Sequence, residues 1–426
     1  MPRMNCSCLF ALCLGLAAVG TALPVQSSDY THRLAMYRHV RPAGPLFQEP
    51  PAERVRGNVL PLGIFYSTVA VGTPPQTFNV SLDTGSTDLL VPGLNCDGCV
   101  YSNSTTRHYD PSKSSTAQFI NYSTSLPDLN CTKLTSDPSA CGFEDSYLTC
   151  NKKNQSAICS ISGPILTDMV HVTGLSASAH LGIITHQTKN FDQMRKVDGI
   201  MGLAYWAPSM KSPIGFARPV FQELVNRDHI PDIFSLCFNN NSGVFVVGGV
   251  DRTMLGGPIF ATPVTEESWY VLDITDIRVA DKTIGATQEQ INDGECILDS
   301  GTNYMMLNPP VFDALRHSFE AMCSSVDLAG VCDMPTNTSL FDGACHTLTP
   351  QQIAAFPTVS MPMRSPQQPN AGGALDAVPF DYLVRDPATD KHCLGWIPGE
   401  CIVGDVVMQR YVNIFDRANN QLAFSP

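Results

Sequence analysis

The chain has 426 residues, of which 43% are hydrophobic and only 15% are charged, and its formal net charge is −13. This composition excludes global disorder, because it provides enough apolar surface for two or three folding units, and the 31 glycines and 32 prolines favour short strands and turns over long helices. With 26 basic against 39 acidic residues the chain lacks the clustered cations that bind phosphate backbones, so we expect no nucleic-acid partner.

The N-terminus has the pattern of a signal peptide over residues 1–22. Arg3 is followed by an apolar stretch at 9–19 and then by the small residues Gly20-Thr21-Ala22. The stretch is shorter than the roughly 20 residues that a spanning helix needs, and no later run approaches that length. We therefore expect entry into the secretory pathway and no membrane anchor.

Residues 23–60 form a small basic segment with five arginines and three acidic residues, whereas residues 61–426 contain 20 basic and 36 acidic residues. One interpretation is a pro-segment held by its charge on an acidic cleft, and the other is a flexible leader of no consequence. We favour the pro-segment.

From residue 60 onward, short apolar runs alternate with Gly, Pro, Asn and Asp clusters. Residues 65–71 before Gly72 and residues 244–247 before Gly248 are typical strands followed by turns. Apolar residues at helical spacing predict two short surface helices, over 219–227 and 310–323.

An internal repeat organises the chain. Leu82-Asp83-Thr84-Gly85-Ser86 returns 216 positions later as Leu298-Asp299-Ser300-Gly301-Thr302, and each copy has a later echo, at Ile200-Met201-Gly202 and Ile402-Val403-Gly404. The repeat predicts an all-β protein of two related lobes, 61–252 and 253–426, joined near residues 248–258.

The repeat can bring two carboxylates together. A single Asp-Thr-Gly is most often an ordinary turn. Two copies in matching contexts can meet at a pseudo-two-fold axis, where like charges cannot both ionise and the pair shares one proton. Such a pair can activate a water for attack on an amide carbonyl without a metal or a covalent intermediate.

These motifs resemble those of the pepsin-like aspartic proteases over most of residues 60–426. The resemblance is carried by both dyad turns and by the following motifs: Val71-Gly72-Thr73-Pro74-Pro75-Gln76, Val197-Asp198-Gly199-Ile200-Met201-Gly202, Ile402-Val403-Gly404-Asp405-Val406 and Phe415-Asp416-Arg417-Ala418-Asn419-Asn420.

The resemblance implies a pepsin-like fold with two β-barrel-like lobes and catalytic roles for Asp83 and Asp299. It also implies supporting roles for Thr84, Gly85, Ser86, Ser300, Gly301 and Thr302. We accordingly expect a monomeric aspartic endopeptidase, made as a zymogen, that cleaves extended peptide or protein substrates at acid pH, outside the cell or in a lysosome-like compartment. The alternative is a peptide-binding homologue with weak or no catalysis.

The flap region departs from the family pattern. The family's flap tyrosine lies some seven residues before a glycine that corresponds to Gly163, and this count arrives at Ser156. The nearest tyrosine is Tyr147, which reaches the flap position only if the Cys-rich insert at 131–159 reshapes the flap. Leu90 replaces the tryptophan that partners the flap tyrosine. We expect a rebuilt flap rather than an inactive enzyme.

Removal of the signal peptide leaves 13 cysteines. In an oxidising compartment we expect them to form disulfides, with one cysteine unpaired because the number is odd. The resemblance implies the bridges Cys96–Cys99 and Cys345–Cys393. Cys323 and Cys332 look like a local pair. Cys296 is expected to lack a neighbouring cysteine with which to pair. Four cysteines resemble staples of the insert (Cys131, Cys141, Cys150 and Cys159), while Cys237 and Cys401 are unassigned. A zinc site at Cys96-x-x-Cys99 is disfavoured because no second ligand pair follows, so we expect no metal and no cofactor.

Seven sequons fit the secretory route: Asn79, Asn103, Asn121, Asn130, Asn154, Asn240 and Asn337. Asn79 lies inside an apolar run. The better glycosylation candidates are Asn103, Asn121, Asn130 and Asn154, in polar loop sequence.

Overall fold

The structure is a computed structural model that describes residues 50–59, 63–99, 107–124, 129–134, 137–147, 159–188, 197–206, 215–239, 242–365 and 373–426. The predicted signal peptide, residues 23–49 of the predicted pro-segment, and the candidates Asn103, Asn154, Cys150 and Ser156 lie outside the described residues.

The described chain is built mainly from strands, which confirms the all-β prediction. The first twelve are β1 Ala52–Asn58, β2 Ile64–Val71, β3 Gln76–Asp83, β4 Leu89–Asp97, β5 Gln118–Phe119, β6 Thr132–Lys133, β7 Cys141–Tyr147, β8 Cys159–Val172, β9 Leu175–Gln187, β10 Gly199–Gly202, β11 Ile233–Phe238 and β12 Ser242–Val247. The others are β13 Phe260–Pro263, β14 Val271–Leu272, β15 Arg278–Val279, β16 Lys282–Thr283, β17 Cys296–Leu298, β18 Met305–Leu307, β19 Val359–Pro362, β20 Ala374–Ala377, β21 Leu383–Asp386, β22 Lys391–Leu394, β23 Trp396–Pro398, β24 Ile402–Val403, β25 Val412–Asp416 and β26 Gln421–Ser425.

The helices are short. The α-helices are α1 Val220–Asp228, α2 Gln288–Ile291, α3 Pro309–Met322, α4 Pro350–Ala354, α5 Pro379–Tyr382 and α6 Asp405–Met408, and the 3₁₀ turns are Pro111–Lys113, Tyr122–Thr124, Arg252–Met254, Leu340–Asp342 and Arg417–Asn419. The helices predicted over 219–227 and 310–323 are α1 and α3, displaced by one residue. Both bury one apolar face, and proline at the first position of α3 costs no hydrogen bond.

The two lobes repeat one strand order. In the first lobe the order is β2-β3-β10-β4-β9, and in the second it is β14-β17-β24-β18-β23. Each pairing also keeps its direction: β3 runs parallel to β10 as β17 does to β24, and β4 runs parallel to β9 as β18 does to β23. The sequence repeat is therefore a repeat of topology.

A third group of strands joins the lobes, in the order β13-β26-β25-β11-β12-β1. Its core is aromatic: the ring of Phe234 stacks on Phe415 at 4.5 Å and meets the edge of Tyr270 at 6.1 Å. Such fully buried aromatic side chains contribute on the order of 2–3 kcal/mol each through removal from water, and they hold the two lobes to one base.

Strand β1 belongs to this base although it falls within the predicted pro-segment. It pairs with β12 through Ala52–Val246 and with β2 through Arg56–Tyr66, and Val55 is fully buried. The end of the basic segment is thus an internal strand. The boundary of the pro-segment itself stays a prediction.

Five disulfides join pairs of described cysteines: Cys96–Cys99, Cys131–Cys141, Cys296–Cys401, Cys323–Cys332 and Cys345–Cys393. Cys237, unassigned from the sequence, is also disulfide-bonded. The expectation that Cys296 lacks a neighbour was wrong. Its partner Cys401 is 105 residues away in sequence, but β17 and β24 lie side by side with Ile297 opposite Ile402, which brings the two Cα atoms to 4.5 Å.

Two glycosylation candidates lie within the described residues. Asn121 and Asn130 are both exposed, whereas Asn79 lies in β3 and its backbone N–H donates to Asp198 Oδ2 at 2.7 Å. Glycosylation at Asn121 and Asn130 stays a prediction.

No α-helix of the described chain has the length and apolarity to span a bilayer.

Candidate active site

Asp83 and Asp299 occupy equivalent places in the two lobes. Asp83 ends β3 and its carbonyl accepts the Leu203 N–H at 2.8 Å, while Asp299 follows β17 and its N–H donates to the Val403 carbonyl at 3.0 Å. In the β3–β10 pairing Asp83 also lies opposite Gly202, so both aspartates are anchored at the segments that the sequence echoes, 200–202 and 402–404. The glycines there are required because a Cβ on Gly202 would lie 2.2 Å from Thr87 C and one on Gly404 would lie 2.4 Å from Thr302 O.

The two turns are locked together by four crossed hydrogen bonds. Thr84 Oγ1 donates to Leu298 O at 2.9 Å and accepts from Ser300 N–H at 2.9 Å. In the mirror arrangement, Ser300 Oγ donates to Leu82 O at 2.7 Å and accepts from Thr84 N–H at 3.1 Å. Both side chains are buried, so each turn fixes the other's backbone.

Each carboxylate is held by its own turn in the same way. Asp83 Oδ1 accepts the Gly85 N–H at 2.9 Å and its Oδ2 accepts Ser86 Oγ–H at 2.6 Å. Asp299 Oδ1 accepts the Gly301 N–H at 2.8 Å and its Oδ2 accepts Thr302 Oγ1–H at 2.6 Å.

Glycine in each turn lets the carboxyl group of the other lobe approach. A Cβ on Gly85 would lie 2.7 Å from Asp299 Oδ1, and a Cβ on Gly301 would lie 2.4 Å from Asp83 Oδ1. Each aspartate therefore lies against the opposite turn. The six supporting residues predicted from the motif all lie in this one assembly.

The site favours retention of a proton. Burial, followed by the negative charge of Asp299, raises the pKa of Asp83 to about 8, although hydrogen bonds from Ser86 and Gly85 act in the opposite direction. Asp83 and Asp299 keep 8% and 7% of their surface exposed, so the pair is not fully closed off from solvent. A pair that holds one proton over a wide pH range can act as both acid and base.

Asp405 is a third carboxyl group near the dyad to which sequence analysis assigned no role. It begins α6, is fully buried, and its pKa is raised well above the ordinary value by burial and then by the charges of Asp299 and Asp83. Its sequence signal was present in the motif Gly404-Asp405, but only the fold shows that it lies beside the dyad.

Trp269 is a second residue that sequence analysis missed. From the second lobe its indole Nε1–H donates to the carbonyl of Gly85 at 3.0 Å, beside the first dyad turn. The next residue, Tyr270, donates its hydroxyl to Leu203 O at 2.6 Å. Nothing in the local sequence of this segment indicated an interlobe contact.

The region predicted to form the flap includes the hairpin β7–β8. Its strands pair from Gly142 opposite Pro164 to Tyr147 opposite Cys159, so residues 148–158 connect the paired ends. Tyr147 is the last residue of β7, while Ser156 lies in the connection. The assignment of either to the flap position stays a prediction.

A metal site has no support from the geometry: within the ranges that the structure describes, no three His, Cys, Asp or Glu side chains converge as ligands. Cys96 and Cys99 are joined by a disulfide.

The fold has two β lobes, and each lobe contributes one buried aspartate to a common pair whose turns are joined by crossed hydrogen bonds. This arrangement defines the class of aspartic proteases. The sequence profile of the eukaryotic aspartyl protease family matches residues 64–127 and 151–426. The chain belongs to this family.

Individual relatives are similar at low identity. A beta-secretase of Strongylocentrotus purpuratus is 24% identical, over 97% of this chain and 77% of that protein. Pepsin A of Rhinolophus ferrumequinum is 26% identical over 85% of this chain and 81% of its own length, and cathepsin E of Aquarana catesbeiana is 25% identical over 85% and 79%.

Proposed function

We propose that this protein is an aspartic endopeptidase that hydrolyses peptide bonds with a water activated between Asp83 and Asp299. The observation that carries the proposal is the symmetric dyad, in which both carboxylates, both hydroxyl partners and both glycines are in place.

The reaction needs one proton on the dyad. The ionised carboxyl accepts a proton from the water as the water oxygen attacks the amide carbon, and the protonated carboxyl donates to the carbonyl oxygen. The resulting tetrahedral intermediate collapses when a dyad proton passes to the leaving nitrogen. Since the pKa of Asp83 is raised to about 8, the dyad keeps its proton throughout the acid range.

The substrate is proposed to be an extended peptide or protein segment, because a cleft between two lobes can accept a chain with its side chains alternating to either wall. The protein acts as a monomer, since both aspartates come from one chain. Five disulfides suit the secretory pathway and an extracellular or acidic compartment.

We further propose that the removable pro-segment ends before Ala52. Strand β1 pairs on both edges, so its removal would expose the backbone groups of β2 and β12 and uncover the pocket of Val55. The segment from residue 23 to β1 retains Arg33, Arg38 and Arg41 for contacts with the acidic body.

The test is cleavage of a denatured protein at about pH 4 by the secreted chain and by Asp83→Asn and Asp299→Asn. Each substitution removes the ability to share the proton, so we expect a loss of at least about a thousandfold in kcat/KM. Asp281→Asn, an exposed turn aspartate with positive φ that asparagine tolerates, is the matched control and should retain full activity.

Undiminished cleavage by either dyad variant would contradict the proposal. A chain that binds a pepstatin-type inhibitor but cleaves nothing would instead be the peptide-binding homologue.

A further inference from the structure

A second pair of carboxyl groups, Asp88 and Asp145, is not used by the reaction scheme above. Asp88 follows Asp83 by five residues and precedes β4, and Asp145 lies in the middle of β7, the first strand of the flap hairpin. One belongs to the dyad segment and the other to the flap.

The packing of neighbouring residues makes the two segments face each other. Leu90, two residues after Asp88, and Phe143, two residues before Asp145, meet over Gly182: a Cβ there would lie 2.7 Å from Leu90 Cδ2 and 2.5 Å from Phe143 Cε1. Asp145 lies on the same face of β7 as Phe143, because side chains alternate along a strand, and its charge acts on Asp88.

Asp88 is the fixed member of the pair. Its two carboxylate oxygens each accept the Phe216 N–H at 3.1 Å, its Oδ1 also accepts from Ala217 N–H at 3.4 Å, and it is 4% exposed. The Phe216 ring lies 5.3 Å from that of Phe143, which again places the flap strand against this segment.

Asp145 is the less constrained member. In the part of the chain that the structure describes, its carboxyl group has no hydrogen-bond or ion-pair partner. Burial raises its pKa to about 7, and burial together with the charge of Asp145 raises the pKa of Asp88 well above its ordinary value.

The charged groups of the surrounding elements do not neutralise the pair. Glu144 lies on the opposite, exposed face of β7, Arg218 beyond Ala217 pairs with Glu223 at 3.6 Å, and His186 at the end of β9 pairs with Asp97 at 3.4 Å. Lys133 of β6, which pairs with β7 opposite Cys141, is exposed and lies 6.0 Å from the centre of the Tyr122 ring. Residues 159–164 of β8 and strand β10 contain no charged side chain, and the dyad turn contributes Asp83.

We propose that Asp145 is a positioning residue for the flap hairpin: β7 stays against the dyad segment while the Asp88–Asp145 pair holds a proton, and is pushed away when both carboxyl groups are charged. While the pair holds a proton, at most one of its carboxyl groups is charged, whereas two like charges in a partly buried site repel. The inference rests on the proposed peptidase function for its consequence, since a displaced flap would weaken substrate binding.

The test measures hydrogen exchange of the segment containing β7 in the full chain, at about pH 5 and about pH 8, with rates corrected for intrinsic exchange. The wild type should lose roughly tenfold in protection of β7 at the higher pH, beyond any loss in β25 of the interlobe base. Asp145→Asn should show no such loss, because an amide does not ionise. Asp88→Asn provides the second variant, with the same expectation.

Glu144→Gln is the matched control, since it removes one charge from the same strand on the exposed face, and it should behave as the wild type. Equal protection of wild-type β7 at both pH values, or the same loss in Asp145→Asn, would overturn the inference. Because exchange needs no turnover, a chain without peptidase activity would contradict the proposed function and still report on the flap.

The KM of the peptidase gives a functional readout. If Asp145 positions the flap, the KM of the wild type rises at the higher pH with little change in kcat, and the KM of Asp145→Asn rises less. Identical KM profiles in the two chains would contradict it.

Discussion

Thr84 and Ser300 show how one hydroxyl can serve two lobes. Each donates to a backbone carbonyl before the opposite aspartate and accepts an N–H from the opposite turn, with both side chains at most 1% exposed. Loss of either hydroxyl leaves a buried donor and a buried acceptor without partners.

We therefore expect Thr84→Val to destabilise the protein by about 2–5 kcal/mol, since each buried unsatisfied group costs about 1–3 kcal/mol. The measurement is denaturant unfolding of the full chain. Thr253→Val, at an exposed position whose hydroxyl bonds only the neighbouring Asp251, is the control and should change stability by no more than about 0.5 kcal/mol. Equal effects of the two substitutions would mean that the crossed bonds do not hold the lobes.

Asp405 leads to a different expectation at the same scale. Since burial and the dyad charges raise its pKa well above the ordinary value, it is neutral at acid pH, and Asp405→Asn preserves both its charge and its shape. We expect kcat/KM at about pH 4 within about threefold of the wild type, in contrast to the dyad variants. A hundredfold loss would show that Asp405 works as a charged group.

The residues that the sequence singled out and those that it did not differ in where their partners lie. Asp83 and Asp299 were predicted because their turns repeat, a signal that local sequence contains. Trp269 was missed because its partner, the Gly85 carbonyl, is 184 residues away and belongs to the backbone, which leaves no mark in the sequence.

At the scale of elements, the disulfides close loops of very different length. Cys296–Cys401 spans 105 residues and ties β17, the strand before Asp299, to β24, whereas Cys323–Cys332 spans 9 residues after α3. In the chain-entropy description, a longer closed loop removes more freedom from the unfolded state.

We expect the double substitution Cys296→Ala with Cys401→Ala to destabilise the protein by about 5 kcal/mol, against about 3 kcal/mol for Cys323→Ala with Cys332→Ala. The two pairs belong to one lobe, so each is the control of the other in thermal unfolding. A larger effect of the shorter loop would show that packing, rather than loop closure, determines the contribution.

Helices and strands could be predicted where the hydrophobic pattern that specifies them is local in sequence. Helices α1 and α3 and strands β2 and β12 followed from periodicity, to within two residues. The Cys296–Cys401 pairing was not found, because it depends on β17 and β24 being parallel neighbours, a fact of tertiary topology. The flap residue stays a prediction, because the segment 148–158 between β7 and β8, which contains Ser156, lies outside the described residues.

For the whole molecule, the distribution of raised carboxyl pKa values sets where the fold is stable. Burial raises the pKa of Asp83 to about 8, that of Asp145 to about 7, and those of Asp88 and Asp405 well above 3.8. A carboxyl group with a raised pKa in the folded state contributes stability that is full below its unfolded pKa and is lost as the pH rises through its folded pKa.

Carboxyl groups with lowered pKa values act in the opposite direction at lower pH. Hydrogen bonds from Ser112 and Ser139 lower the pKa values of Asp110 and Asp137 below 3.8, so their contribution exists above that pH and is lost as the pH falls further. The two sets together place maximal stability in mild acid.

We accordingly expect the melting temperature of the full chain to be highest at about pH 4–5 and lower by on the order of 10 °C at about pH 8, because several carboxyl groups must then be ionised in buried positions. Calorimetry across this range gives the measurement. Asp405→Asn removes one of these groups and should flatten the alkaline decline, while Asp281→Asn, at the surface, should leave it unchanged. A melting temperature that stays level or rises between pH 5 and pH 8 would mean that the buried carboxyl groups do not limit stability, and the same groups could then not confine the protein's working range to acid.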